Sequence, residues 1–132
     1  MNTPMNKDQF SEFLAPKLKQ VGFRKKGRTW RRENCEVIEV FNVQGSTWDK
    51  EDFYVNVGIY LKAIGSDPSP SENHCHVGHR VPREIDHDAD ATVDYAQGWF
   101  SDRDSRFKLK GHVESDSKKG LVLVTLRKEL LG

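Results

Sequence analysis

The sequence predicts a single α+β domain, in which an N-terminal helix packs on an antiparallel β-meander of three to four strands and a helical C-terminal third completes the core. Three observations lead to this fold class. Apolar residues repeat with a helical period near the N-terminus, they alternate with a period of two in residues 52–62, and short polar connections separate the strand-like segments. A length of 132 residues is typical of one domain.

Residues 6–21 have the pattern of an amphipathic helix. Their apolar side chains recur at three- and four-residue steps and share one face: Phe10, Phe13, Leu14, Leu18 and Val21. Asn6 is a suitable N-cap with Gln9 as its capping-box partner, and Gly22 suits the left-handed position after the last turn. Pro16 lies inside the pattern, so we expect either a kink or two short helices there.

Three segments rich in β-branched and aromatic residues predict strands: Thr29–Glu33, Glu36–Gln44 and residues 52–62. In the third segment, one apolar set consists of Phe53, Val55, Val57, Ile59 and Leu61. It alternates with a second set of Tyr54, Asn56, Gly58, Tyr60 and Lys62. Because successive strand residues point to opposite faces, we expect the first helix to cover the apolar set and the other face to remain open. His74–Val81 is a candidate fourth strand.

The C-terminal third has weaker patterns. Asp90–Phe100 has a helical repeat of apolar residues, and residues 101–113 predict a further short helix with Ser101 as its cap. Leu121–Leu131 is compatible with a buried strand at its start and with a helix at its end.

Composition restricts the class of protein. The net charge is +1, but cations concentrate in Lys17–Arg32 and acids in Glu84–Asp104. This segregation fits either an acidic partner for the basic segment or two surfaces that face each other. The apolar runs are far shorter than a membrane span, no export signal is present and two cysteines form no disulfide framework, so we expect a cytoplasmic protein without membrane contact.

Two segments contain metal-ligand residue types. Segment 74–79 has three histidines and a cysteine, which are zinc ligands, but a strand would place His74 and His76 on one face and Cys75 on the other. Segment 86–97 begins with alternating aspartates like a calcium loop, yet it lacks the glycine and the bidentate glutamate that such a loop needs. We therefore expect no metal and no cofactor.

Several short stretches, taken in order, carry a family resemblance: Leu18–Gly27, Thr29–Arg32, Val40–Gln44, Phe53–Gly58, and His74–Val77 followed by Arg80. Over roughly residues 8–82 the chain resembles the DUF4304 family of uncharacterised bacterial proteins, and its C-terminal third resembles that family less. The resemblance implies an α+β domain. It implies no activity and therefore no catalytic residue.

A polar patch on the predicted sheet is the candidate binding site. Its residues are Asn42, Gln44, Tyr54, Asn56 and Tyr60, with His76 and Arg80 at the rim. Amides make directional contacts and aromatic rings supply flat contact area, so such a face suits another protein or a small ligand. The sequence therefore favours a small binding or interaction domain, for instance one that recognises and neutralises another protein as immunity proteins do.

Two alternatives remain open at this point. One is a hydrolase or nuclease-like enzyme that uses His76, Arg80 and the Asp86-His87-Asp88 loop. The other is nucleic-acid binding through Lys17–Arg32, which the acidic remainder of the chain disfavours. Because no nucleophile elbow, dinucleotide-binding loop or P-loop is present, the sequence favours binding over catalysis.

Overall fold

The computed structural model describes residues 6–49, 51–115 and 121–122. Its helices are α1 (Lys7–Gln20), α2 (Ala89–Ser101) and α3 (Arg106–Ser115). Its strands are β1 (Arg24–Lys26), β2 (Thr29–Glu33), β3 (Val37–Gly45), β4 (Phe53–Leu61), β5 (Val77–Arg80) and β6 (Leu121–Val122). All neighbouring strands are antiparallel, and their order in the sheet is their order in the chain. The α+β class is confirmed, although the sheet has five strands of three or more residues plus the two-residue β6 rather than three to four.

Helix α1 begins and ends as its sequence predicts. The Asn6 carboxamide accepts a hydrogen bond from the Gln9 amide at 2.9 Å, and the Gln9 side chain accepts one from the Asn6 amide at 3.1 Å. Gly22 has a φ of +97°, the left-handed conformation that glycine adopts without a steric cost. The helix continues through Pro16. The expectation of two short helices is therefore wrong.

The buried stripe of α1 is narrower than predicted. Phe10, Leu14 and Leu18 are buried, whereas Phe13 is 56% exposed and does not belong to the core. The stripe follows four-residue steps, and its other side is occupied by buried Ser11, whose hydroxyl is satisfied by a backbone carbonyl. Leu14 and Leu18 pack in the core on either side of Pro16, and these contacts hold the helix against the sheet.

The sheet has an inner face, which the helices cover. Alternate residues of β4 from Phe53 to Leu61 are almost fully buried there, together with side chains of α1, α2 and α3. The rings of Phe10 and Phe53 stack at 4.7 Å between centroids. The predicted burial of the apolar set of β4 is confirmed. One ion pair interrupts this apolar face: Arg32 donates two hydrogen bonds to the buried carboxylate of Glu39.

The opposite, outer face is divided into two halves. At one half the connection 62–76 folds back over a small apolar cluster of Ile38, Val40, Tyr60 and Cys75. Gly58 is necessary for this cover, because a Cβ atom at this position would lie 2.7 Å from the Cys75 sulfur. At the other half the polar side chains of β2 to β5 remain uncovered by any element of the described ranges.

The structure corrects or extends the sequence analysis at four further places. Strand β1 was not predicted, since its three residues are all charged. Ser101 does not cap α3, because it is the last residue of α2, and Ser105 accepts the hydrogen bond from the Lys108 amide instead. The fourth predicted strand is shorter than proposed and begins at Val77. Of the ambiguous C-terminal segment, residues 121–122 form a strand and 123–131 lie outside the described residues.

Candidate functional site

One row of residues crosses the open half of the outer face. Thr29 of β2 lies opposite Asn42 of β3, Asn42 lies opposite Asn56 of β4, and Asn56 lies opposite Arg80 of β5. We call these four residues the polar row. With neighbouring strands about 4.8 Å apart, the row spans about 14 Å across the sheet.

The side chains of the polar row form a chain of hydrogen bonds that all run in one direction. Arg80 Nε donates to Asn56 Oδ1 at 3.3 Å, Asn56 Nδ2 donates to Asn42 Oδ1 at 3.3 Å, and Asn42 Nδ2 donates to Thr29 Oγ1 at 3.1 Å. Asn56 Nδ2 also donates to Gln44 Oε1 at 2.9 Å. Each amide therefore has a fixed orientation, because reversing one would place like groups against each other.

Tyr54 lies beside the polar row, and two guanidinium groups pack on its ring. The guanidinium carbons of Arg80 and Arg83 lie 4.1 Å and 4.5 Å from the centroid of its ring. Such cation–π contacts hold a long side chain close to the sheet. Arg80 is thus positioned by its Nε hydrogen bond and by the ring, while its two terminal nitrogens make no hydrogen bond within the described ranges.

The exposed part of this surface differs from the part that supports it. Asn56 is only 4% exposed because its neighbours in the row surround it, and Asn42 is half-buried. Gln44 and Arg80 are exposed. A ligand would therefore contact Gln44 and Arg80, whereas Asn56 acts as the buried support that holds them.

Two predicted site residues are not part of this surface. Tyr60 and His76 stack on each other, with 4.5 Å between ring centroids, in the covered half of the outer face, and both are buried. His76 Nδ1 accepts a hydrogen bond from the Leu61 amide at 2.9 Å, and burial lowers the pKa of this imidazole. Tyr60 lies six positions after Tyr54 in β4, a distance of about 20 Å along a strand.

A charged cluster lies beside the start of β4. Arg83 donates two hydrogen bonds to the Asp52 carboxylate at 2.8 and 2.9 Å and one to the fully buried Asp86 at 2.6 Å. The hydrogen bonds from Arg83 lower the pKa of Asp52. His87 Nδ1 lies 2.6 Å from Asp86 Oδ1, and the imidazole stacks on Phe53 with 4.1 Å between ring centroids. The cluster fastens the segment that leads into α2 to the sheet.

This geometry separates the residues of the enzyme hypothesis. Arg80 and the Asp86-His87 pair lie near the Tyr54 end of β4, whereas His76 lies at the Tyr60 end. Asp88 caps α2 through a hydrogen bond from the Ala91 amide. The three parts therefore do not meet in one cleft.

The histidine–cysteine segment is dispersed in the same way. His79 lies on the inner face, where its Nε2 is 2.7 Å from the Tyr95 hydroxyl, whereas His76 lies on the outer face. Burial raises the pKa of the Cys75 thiol to about 12. Within the described ranges, no group of three or more metal-ligand residues lies close enough to hold an ion.

The cations of Lys17–Arg32 have different surroundings. Lys17 pairs with Asp90, which links the basic segment to the acidic one, and Arg28 lies 3.4 Å from Asp8. Others, including Arg24, have no ion pair in the described part of the chain. The structure therefore agrees both with an acidic partner for the basic segment and with two charged surfaces of one fold that face each other.

Sequence reasoning missed two residues that shape this surface. Arg83 belongs to no motif, and only its position between Asp52 and the aspartates of the 86–90 loop could have indicated a charge network. Glu72 lies over Gly78, with a carboxylate oxygen 3.8 Å from where a Cβ would be, and burial raises its pKa. The positive charge of Arg80 opposes this rise in the pKa of Glu72.

The fold and this surface define the chain as a small α+β domain, in which the three described α-helices lie on one face of an antiparallel sheet. A family model described as a domain of unknown function, DUF4304, matches residues 14–122. The chain therefore belongs to the DUF4304 family, and the match extends into the C-terminal third, beyond the resemblance that the sequence had indicated. No curated protein and no solved structure matches it. In the described ranges, no helix is both long and apolar enough to cross a membrane.

Proposed function

We propose that the chain is a small bacterial, cytoplasmic binding domain that holds an acidic protein partner on the open half of its outer sheet face. The contact surface consists of Gln44 and Arg80, supported by the polar row and by Tyr54. Recognition and neutralisation of another protein, as immunity proteins perform it, is one form that this function takes.

The observation that carries the proposal is the fixed position of an exposed arginine. Arg80 is held through Nε and through the ring of Tyr54, so its terminal nitrogens are available without a large loss of side-chain freedom on binding. Arginine side chains oriented in this way bind carboxylates with two parallel hydrogen bonds. The amide of Gln44 beside it adds a donor and an acceptor for a peptide group.

The charge of the outer face selects the kind of partner. Cations on this face include Arg24, Lys26, Arg31 and Arg80, while one of its acids, Glu33, is paired with Lys62. An acidic surface complements this distribution, and such complementarity accelerates association as well as adding specificity. The enzyme alternative gains less support, because its candidate residues are dispersed over the fold. The nucleic-acid alternative gains less support, because the described outer face offers few exposed aromatic rings on which bases could stack.

The test compares two variants of the whole chain with equal changes in composition. Gln44→Ala with Arg80→Gln alters the contact surface, and Gln20→Ala with Lys19→Gln removes an exposed amide and a cation from α1. Proteins captured from native lysate by the wild-type chain would be purified. Their affinities for the wild-type chain and for each of the two variants would then be measured by calorimetry.

The expected result is an acidic protein whose affinity falls at least tenfold with the surface variant and stays within twofold with the α1 variant. Equal affinity of all three proteins for every captured partner would overturn the proposal, as would partners that carry no acidic surface. Circular dichroism of both variants checks that the fold is unchanged.

A further inference from the structure

A basic groove lies beside β1, where Lys26 is opposite Thr29 at one end of the polar row. The groove is open to solvent on one side and has a volume of about 510 Å³. The residues of the groove that the argument uses are Arg24, Lys25, Lys26 and Arg31, with Pro68 and Ser69 as the opposite wall. We propose that this groove binds a compact phosphate-bearing anion, such as pyrophosphate or the polyphosphate group of a nucleotide. This inference uses β1 and β2, whereas the proposed partner contacts Gln44 and Arg80, although the charges of Arg24, Lys26 and Arg31 contribute to both surfaces.

The first support is an uncompensated concentration of charge. Arg24 and Arg31 lie directly opposite each other in the β1–β2 pair, and Lys26 lies opposite Thr29 on the same face. Like charges at directly opposite positions of an antiparallel pair are unfavourable. Neither Arg24 nor Lys26 has an ion pair within the described ranges, so a bound anion would relieve a repulsion that the protein alone leaves in place.

The second support is that the nearby acids are already engaged. Arg32 and Glu33 also line the groove. Arg32 is neutralised by Glu39, which accepts hydrogen bonds at 2.9 and 3.0 Å, and Glu33 lies 3.1 Å from the Lys62 ammonium. The groove therefore keeps a net positive charge after these pairs are counted.

The third support is that one arginine is already oriented. Arg31 is half-buried, and its Nε donates to the Pro70 carbonyl at 2.8 Å. Its two terminal nitrogens make no hydrogen bond in the part of the chain that the structure describes. A guanidinium fixed in this way presents a planar fork that matches two oxygens of a phosphate.

The lining favours a compact anion over a nucleic-acid strand. The volume lies within the range of small-ligand sites. Among the residues that the structure describes, no aromatic ring lines the groove: Trp30 is buried on the inner face, with the Lys25 ammonium 5.7 Å from its centroid. Single-stranded nucleic acids gain much of their affinity from stacking on exposed rings, which the groove does not offer.

The experiment is a calorimetric titration of the whole chain with pyrophosphate at low salt, accompanied by amide chemical-shift mapping. Arg24→Gln with Lys26→Gln removes two groove charges. Lys19→Gln with Lys108→Gln removes two charges elsewhere, so the net charge of the two variants is equal. We expect saturable binding with shifts in residues 22–33 and 67–71, an affinity at least tenfold lower in the groove variant, and a wild-type affinity in the other.

Two further variants and a second ligand test how the anion is bound and where. Arg31→Lys keeps the charge but removes the fork, so it should weaken pyrophosphate binding at least threefold. The Gln44→Ala and Arg80→Gln variant should keep the wild-type affinity, which separates this site from the proposed partner surface. The proposal is overturned if pyrophosphate does not saturate, if both charge variants weaken binding equally, or if an oligonucleotide binds where pyrophosphate does not.

Discussion

The support that Asn56 gives to the polar row can be measured by truncating it to alanine. Its carboxamide makes hydrogen bonds to Gln44 at 2.9 Å, to Asn42 at 3.3 Å and from Arg80 at 3.3 Å, and it is 4% exposed. A hydrogen bond contributes about 0.5–1.5 kcal/mol net, so we assign about 1 kcal/mol to the short one and about 0.5 kcal/mol to each long one.

The expected loss for Asn56→Ala is therefore about 2 kcal/mol in the free energy of unfolding. The partners do not add a large further penalty, because Gln44 and Arg80 are exposed and regain hydrogen bonds with water. For a domain of this size, the change corresponds to a lowering of the melting temperature by about 8 °C. The matched control is Gln20→Ala, an exposed amide on α1 whose removal should cost less than about 0.5 kcal/mol.

Urea unfolding followed by tryptophan fluorescence measures both values. A double-mutant cycle with Gln44→Ala should give a coupling energy of about 1 kcal/mol, because the two amides share the shortest bond of the network. A loss below about 0.5 kcal/mol for Asn56→Ala, or a coupling of zero, would refute the reasoning. Arg80 would then lack the oriented support on which its proposed role in binding depends.

Three other properties are testable. Gly58→Ala should lower the free energy of unfolding by about 1–3 kcal/mol, because the new Cβ would meet the Cys75 sulfur at 2.7 Å. Unchanged urea stability would contradict this. At pH 8, iodoacetamide should modify exposed Cys35 well before Cys75, whose buried thiol has its pKa raised to about 12, and mass spectrometry that finds equal rates would be contrary evidence. Burial lowers the pKa values of His76 and His79 in the folded state, so the unfolded chain binds protons first as the pH falls. Stability should therefore decrease below about pH 6.5, and a flat urea-unfolding profile from about pH 7.5 to 5.5 would exclude this linkage.

Local signals in the sequence were sufficient for much of the fold. The capping box of Asn6 and Gln9 depends on residues three apart, and the period of two in residues 52–62 depends on a single strand. Both patterns express backbone geometry directly, so they predicted α1 and β4 without knowledge of the tertiary structure.

Features that depend on packing between distant segments were not predictable in this way. Phe13 satisfies the helical period but lies outside the sheet contact, and the width of that contact is set by the partner surface rather than by α1. Strand β1 has no apolar residue because it lies at the edge of the sheet and all its side chains are exposed. Charged residues are common on such strands, since they discourage pairing with other chains.

The candidate site shows the same limit within one sheet face. Alternation along β4 assigned Tyr54, Asn56 and Tyr60 to one face, but alternation does not state which part of a face is covered. The connection 62–76 covers the Tyr60 end and places His76 there, so these two residues are separated from the other five predicted site residues.

A signal for this division is present in β3. Its outer-face positions change from Ile38 and Val40 to Asn42 and Gln44, and the cover extends over the apolar pair but not over the amides. Leaving the apolar pair exposed would cost hydrophobic free energy, whereas burying the amides beneath a loop would require a partner for each of their donors and acceptors. The boundary between covered and open surface therefore follows from the sequence of one strand, and the surface that stays open carries the polar groups on which the proposed binding depends.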